Sequence, residues 1–310
     1  MNELPRTQPA TAVVANPVDL PGMIVLRNIL VATDFSPASE MALDYAVAIA
    51  RRYESHLYIV HAIRPELYAL TPPEATGGMV EIVRQAAEQE MANLLISGRL
   101  REVPHQAMVE EGDVWSVLAE LTSKHHADLI VVGTHGRSGL EKMFLGSVAE
   151  RVFRLSMQPV LTVGPKVSKQ APAEIALKNV VYATDFGPTS LRALPYALSL
   201  AQEYQAKLTL IHVAGDRAGA STEDEAKISE ASAERLQQML PPGADLWCFP
   251  EFLAVFGPLV ESILAAARQR SADLLVLGIR GGGAVTGHLP AANAYRLVRE
   301  ATCPVLTVRG

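Results

Sequence analysis

Asp128-Leu129-Ile130-Val131-Val132-Gly133-Thr134-His135-Gly136 decides the fold: an apolar β-type run empties directly into glycine-punctuated sequence, and Gly146-Ser147 follows nine residues later. Glycines in such a loop let the backbone take positive φ and approach an anion closely. A helix opening at Ser147 would offer unpaired N–H groups and the positive end of its dipole. Together these are the parts of a phosphate cradle. An eroded copy stands near the end of the chain. Gly278-Ile279-Arg280-Gly281 keeps the first two glycines, but Ala291-Ala292 occupies the positions of Gly146-Ser147.

The copy belongs to a duplication. Residues 27–63 align without gaps on residues 178–214, with Asn28, Thr33, Asp34, Phe35, Pro37, Tyr45 and His61 recurring as Asn179, Thr184, Asp185, Phe186, Pro188, Tyr196 and His212. The offset is 151 there and 145 between residues 128–163 and 273–308, so the second copy has lost six residues in between. The loop 64–78, rich in proline and glycine, is the expected place of the loss. Within the first copy, β-rich runs at 28–33, 56–62, 106–110, 128–133 and 160–163 alternate with helical patterns at 38–54, 79–99, 114–125 and 147–156. That alternation is the signature of an α/β fold with a parallel sheet and helices on both faces. Ser36-Pro37 reads as a cap followed by proline at the first helical position, and Ser147-Val148-Ala149-Glu150 as a capping box. The expected domains are 25–164 and 178–310, with a flexible tail over 1–24 and a lysine- and proline-bearing linker over 165–177.

Composition narrows the function. The 310 residues are 49% hydrophobic and 19% charged, as in a globular protein large enough for two cores. A net charge of -6 argues against a general nucleic-acid binder, which needs basic surface to displace counterions. Cys248 and Cys303 lie far apart in apolar stretches and read as core thiols of a reducing compartment. The N-terminal stretch lacks the apolar core of a signal peptide, and no apolar run is long enough to span a bilayer. A cytoplasmic protein is the expectation.

In an open parallel sheet the ligand crevice lies beyond the carboxyl ends of the strands, where strand order reverses. Asp34 closes the first strand, His61-Ala62 the second, and the glycine loop leaves the fourth. With Ala32-Thr33-Asp34-Phe35-Ser36, the Gly133-x2-Gly136-x9-Gly146-Ser147 spacing and the terminal run Pro159-Val160-Leu161-Thr162-Val163, the chain resembles a tandem of two universal stress protein domains. The resemblance implies two Rossmann-like domains of the adenine nucleotide alpha hydrolase type, each a five-stranded parallel sheet ordered 3-2-1-4-5. It also implies ATP binding where the glycine pattern is intact.

Carried over by position, Thr33 and Asp34 would lie near the adenosine, and Ala62 would present backbone to the adenine. Gly133 and Gly136 would admit the ribose and first phosphates. Gly146, Ser147 and Val148 would hold the outer phosphates, with His135 and Arg137 within reach of them. The corresponding second site would comprise Thr184, Asp185, Val213, Gly278, Gly281, Ala291 and Ala292, weakened by the loss of the serine hydroxyl and by Pro290, with Asn293 left to cap the helix. A purely structural reading stands beside this one: Ser147 can cap a helix and Asp34 can close a turn without any ligand. His61 and His212 fit a shared structural hydrogen bond as well as a ligand role.

No lysine-bearing P-loop, metal-ligand cluster or catalytic triad is recognisable. The expected function is therefore an ATP-binding stress-response regulator, with magnesium entering only alongside the nucleotide and a protein partner the sequence does not identify. Two alternatives are a slow magnesium-dependent ATPase and a nucleotide-free assembly module. The terminal strand of each copy would lie at a sheet edge, and exposed edges invite pairing. The two are expected to associate antiparallel within one chain as a pseudo-dimer, with whole chains forming a homodimer.

Overall fold

The computed structural model describes residues 24–64, 73–134, 146–168, 175–215, 222–244, 248–279 and 291–310. The first half runs β1 (Asn28–Ala32), α1 (Pro37–Tyr53), β2 (His56–Ile63), α2 (Pro73–Ile96), β3 (His105–Glu111), α3 (Val114–Lys124), β4 (Leu129–Gly133), α4 (Ser147–Leu155) and β5 (Val160–Val163). The second half repeats it as β6 (Asn179–Ala183), α5 (Pro188–Tyr204), β7 (Lys207–Val213), α6 (Thr222–Gln238), β8 (Phe249–Val255), α7 (Leu259–Gln269), β9 (Leu274–Ile279), α8 (Ala291–Glu300) and β10 (Val305–Arg309).

All ten strands form one sheet, ordered β3-β2-β1-β4-β5-β10-β9-β6-β7-β8. Within each half the pairs are parallel, because every connection crosses back through a helix. At the seam β5 and β10 pair antiparallel, with Leu161 opposite Leu306. The intrachain pairing expected of the terminal strands is present.

Alternation along each strand divides the core. Ile29 and Val31 face one layer, Leu30 the other. The layer under α1, α2, α5 and α6 is continuous across the seam, running from Leu43 and Leu57 through Leu161 and Leu306 to Leu200 and Leu208. On the opposite face each half keeps its own core, except that Phe153 of α4 enters the second half's cluster. The ends of the expected linker are packed, since Val167, Ile175 and Leu177 are buried in the continuous layer. Cys248 and Cys303 are buried free thiols, and burial pushes Cys303 up to about 12.

One recurrent clamp aligns β1 with β4. The Asp128 carboxylate accepts from the Arg27 and Asn28 backbone N–H groups at 2.8 and 3.0 Å, and Asp273 does the same for Lys178 and Asn179. One expectation needs correction. The second helix starts at Pro73 rather than Met79, a position where proline is tolerated because its missing N–H has no partner there anyway. By the 145-residue offset α6 begins opposite residue 77 and buried Leu236 stands opposite buried Met91, so the shortening takes the first turn of α2 and the residues before it, within the stretch 64–78 where the loss is expected. Residues 1–23, most of the expected tail, and 169–174 of the linker lie outside the described residues.

Candidate functional site

The strand order reverses between β1 and β4, with β2 on the far side of β1. That is where an open sheet forms a crevice. Beyond β1 the chain turns sharply through Thr33, Asp34, Phe35 and Ser36 into α1. Phe35 has φ of 60°, and Phe186 repeats it at 61°. A bulky residue in that region costs about 1–3 kcal/mol, and such strain gathers at functional turns.

Short hydrogen bonds hold the turn. The Asp34 carboxylate accepts from the Ser36 N–H at 3.1 Å, and Thr33 Oγ1 accepts from the Phe35 N–H at 3.0 Å. His61 Nδ1 donates to the Thr33 carbonyl at 2.8 Å, and its ring lies 4.8 Å from that of Phe35. His212, Thr184 and Phe186 repeat the arrangement at 2.9 and 4.4 Å. The recurring histidines thus carry the shared structural bond. Ala62 and Val213 stand at the ends of β2 and β7, paired with Glu110 and Val255.

Gly133 has a packing reason to be glycine. A Cβ there would stand 2.6 Å from the Ala38 carbonyl oxygen and 2.9 Å from Ser39 N, and on Gly278 it would stand 2.3 Å from the Thr189 carbonyl oxygen. The first turn of α1 or α5 therefore rests directly on the strand backbone, which brings Asp34 beside the exit of β4. Thr134 then closes the loop. Its carbonyl accepts the Gly146 N–H at 2.6 Å, and its hydroxyl donates to the Val163 carbonyl at 3.2 Å.

The helix after the loop differs from the expected capping box. Gly146 is the N-cap of α4 and no side chain caps it; Ser147 is already the first helical residue. A serine inside the first turn cannot take the N-cap geometry that a capping box requires. Gly146 spends its own N–H on Thr134, so the first-turn groups without an intrahelical acceptor are those of Ser147, Val148 and Ala149. By contrast α1 and α3 are capped by the Ser36 and Asp113 side chains. Val148 also packs against the first-half core. In the second half Asn293 is the third residue of α8, not its cap, because the helix begins at Ala291. Ala292 is exposed. His135, Gly136, Arg137 and Gly281 lie outside the described residues.

Sequence reading missed Ser39 and Ser190, which sit at the hub of the two turns. The Ser39 hydroxyl donates to the Ser36 carbonyl at 3.0 Å and accepts from the Asp34 N–H at 3.3 Å. The Ser190 hydroxyl instead lies 2.6 Å from the Asp185 carboxylate and 2.9 Å from the Gly187 carbonyl. Their recurrence at the 151-residue offset was the available signal. The second half has two further additions. Tyr182, pushed up to about 12 by burial and so protonated, donates to the Ser190 carbonyl at 2.7 Å, and the Arg235 guanidinium lies 4.2 Å over the Phe186 ring.

Among the described residues no cluster of three or more His, Cys, Asp or Glu side chains could hold a metal, and no helix is long and apolar enough to cross a membrane. The chain resembles a universal stress protein of Mycolicibacterium smegmatis, 26% identical over 91% of this chain and 97% of that protein. One of Methanocaldococcus jannaschii is 29% identical over 46% of this chain and 84% of its own length. The crystal structure of a universal stress protein from Archaeoglobus fulgidus shares the fold at a TM-score of 0.65 and 19% identity, covering 91% of this chain and 98% of that one. The universal stress protein family model matches twice, over residues 26–164 and 176–309, and the chain belongs to that family.

Proposed function

We propose that the protein is a nucleotide-dependent regulator in a stress response, binding ATP in the first-half crevice between β1 and β4. Residues 25–164 carry the competent site, and residues 178–310 form a companion domain whose site is weak or absent. The observation that carries the reading is the N-terminus of α4. It opens at Gly146 without a side-chain cap, at the exit of the strand beside the Asp34 turn. Backbone N–H groups with no intrahelical acceptor and the positive end of the helix dipole suit a phosphate, and a carboxylate suits ribose hydroxyls.

The residues present fit such a ligand. The amides of Ser147 and Val148 would take phosphate oxygens, Asp34 and Thr33 would meet the sugar, and the backbone at Ala62 would meet the base. Gly146 contributes by closing the loop onto Thr134, not by donating to phosphate. His135, Gly136 and Arg137 complete the proposed set. Magnesium would enter with the nucleotide and neutralise phosphate charge.

Mass spectrometry of the supernatant from denatured purified protein, together with calorimetric titration of the full chain with ATP and magnesium, tests the reading. Released adenine nucleotide or a saturable one-site isotherm is expected. Neither appearing would sink it.

A further inference from the structure

The C-terminal ends of α3 and α7 stand in equivalent places, and different chemistry fastens each to the sheet. His125 is the C-cap of α3, and Arg270, at the 145-residue offset, is the C-cap of α7. The residue after the cap, His126 or Ser271, has φ of 48° in both. Arg270 reaches β8, where its Nε donates to Glu251 Oε2 at 2.9 Å and its Nη2 to Oε1, and the Thr209 hydroxyl of β7 donates to the same carboxylate at 3.3 Å. Thr209 and Glu251 are partners across the ladder, as Tyr58 and Gln106 are in the first half. There rings replace the ion pair. The His125 ring stacks on Tyr58 with centroids 4.1 Å apart, and Tyr58 packs on His56 at 4.6 Å.

That stack has nothing to answer a positive charge. The Nε2 atoms of His125 and His56 are buried and have no hydrogen-bond partner among the described residues. A protonated imidazole donates from both nitrogens, so charging His125 would bury an N–H that faces no acceptor. The groups around the ring are positive or neutral: Lys124 and His126 on its own helix end, His56 and Tyr58 on β2, and, in register beside these two, Asn28 on β1 and Gln106 on β3. The Asp128 carboxylate at the head of β4 accepts from the Arg27 and Asn28 N–H groups. The second half's clip is different in kind. Arginine keeps its charge, and its hydrogen bonds hold Glu251 below the ordinary carboxylate value of 4.5, so the pair is constant above that pH.

We infer that α3 is an acid-sensitive element: protonation of His125 releases its C-terminal end from the sheet, while Arg270 keeps α7 fastened at the same pH. The N-cap of α3, Asp113, bonds Arg151 of α4, so the released helix is one tied to the helix that opens the first-half crevice. The bearing on ligand affinity rests on the reading of that crevice as an adenine-nucleotide site; the release itself does not.

Hydrogen exchange on the full chain, expressed as protection factors at pH 7 and pH 5, tests the release. Amides in the last turns of α3 should lose about tenfold in protection, the effect of one unit of differential proton affinity, and those of α7 should keep theirs. The loss should follow the titration of the His125 ring resonance in the wild-type chain. His125→Phe keeps the stack without the proton site and should hold its protection at pH 5. The double variant His125→Arg with Gln106→Glu, which copies the clip of the second half, should do the same. No loss in α3, equal losses in α3 and α7, or the wild-type loss persisting in His125→Phe overturns the inference.

ATP titrations with magnesium at the same two pH values test the link to the crevice. Wild-type affinity should fall further than that of His125→Phe, for which the nucleotide itself titrates identically. Equal falls overturn the link. If ATP gives no heat at pH 7, the nucleotide reading fails and hydrogen exchange alone decides the release.

Discussion

The carbonyl oxygen of Ala38 lies 2.6 Å from where a Cβ on Gly133 would stand, so helix α1 sits on the end of β4 with no room for a methyl group. Gly133→Ala must displace α1 backbone rather than a side chain tip. Overpacking of this kind costs about 1–3 kcal/mol, and Gly278→Ala, where the contact is 2.3 Å, should cost more. Urea midpoints of the two variants check both the loss and its order.

At the seam, Leu306 and Leu161 face each other across β10 and β5, both buried. Leu306→Ala should destabilise the chain by about 2–5 kcal/mol, the usual cost of a large-to-small change in a packed core. The layer they share continues into both halves, so the weakening should not stay local. Hydrogen exchange should speed up in the amides of β1 as well as β6. Protection lost from the second half alone would contradict a common core.

His125, at the C-terminal end of α3, stacks on Tyr58 with centroids 4.1 Å apart, and Tyr58 in turn packs on His56 at 4.6 Å. Burial, and then the positive charges of Lys124, His56 and His126, hold its pKa below the ordinary 6.5. The helix dipole, which would favour the charged ring, does not prevail. The unfolded chain then takes up a proton before the folded one does. The stability contribution is full above pH 6.5 and falls as pH drops through 6.5 toward the folded-state value. His125→Phe keeps the stack and removes the titration, so thermal melts between pH 7 and pH 5 should fall less steeply than in wild type. Parallel curves would show that His125 does not titrate differently on folding.

The sequence makes the framework legible because it rests on local pattern and repetition. Apolar runs mark β1, β4 and β5 to within a residue, and duplication reveals that one architecture occurs twice. Ser36-Pro37 marks the start of α1 because a cap hydroxyl and a proline ring act within one turn. Ser147 misled the same rule. Whether a serine is the cap or the first helical residue depends on backbone torsion, and Gly146 takes the cap once its N–H is drawn to Thr134. The packing duty of Gly133 was not legible, because spacing cannot show that Ala38, about a hundred residues earlier, presses on it. The different surroundings of Ser39 and Ser190 were beyond reach for a related reason: both are serine, and what separates them is the neighbours that the fold brings in, Ser36 against Gly187 and Val31 against Tyr182.

The antiparallel seam decides which way the two strand-end turns face. Strands β1 to β5 all point one way, and β6 to β10 point the other. Their carboxyl ends, and with them the Asp34 and Asp185 turns, therefore open on opposite long borders of the same sheet. No single segment can cover both turns, and whatever docks along one border meets one turn only. The duplicated turn therefore faces two separate sides of the molecule.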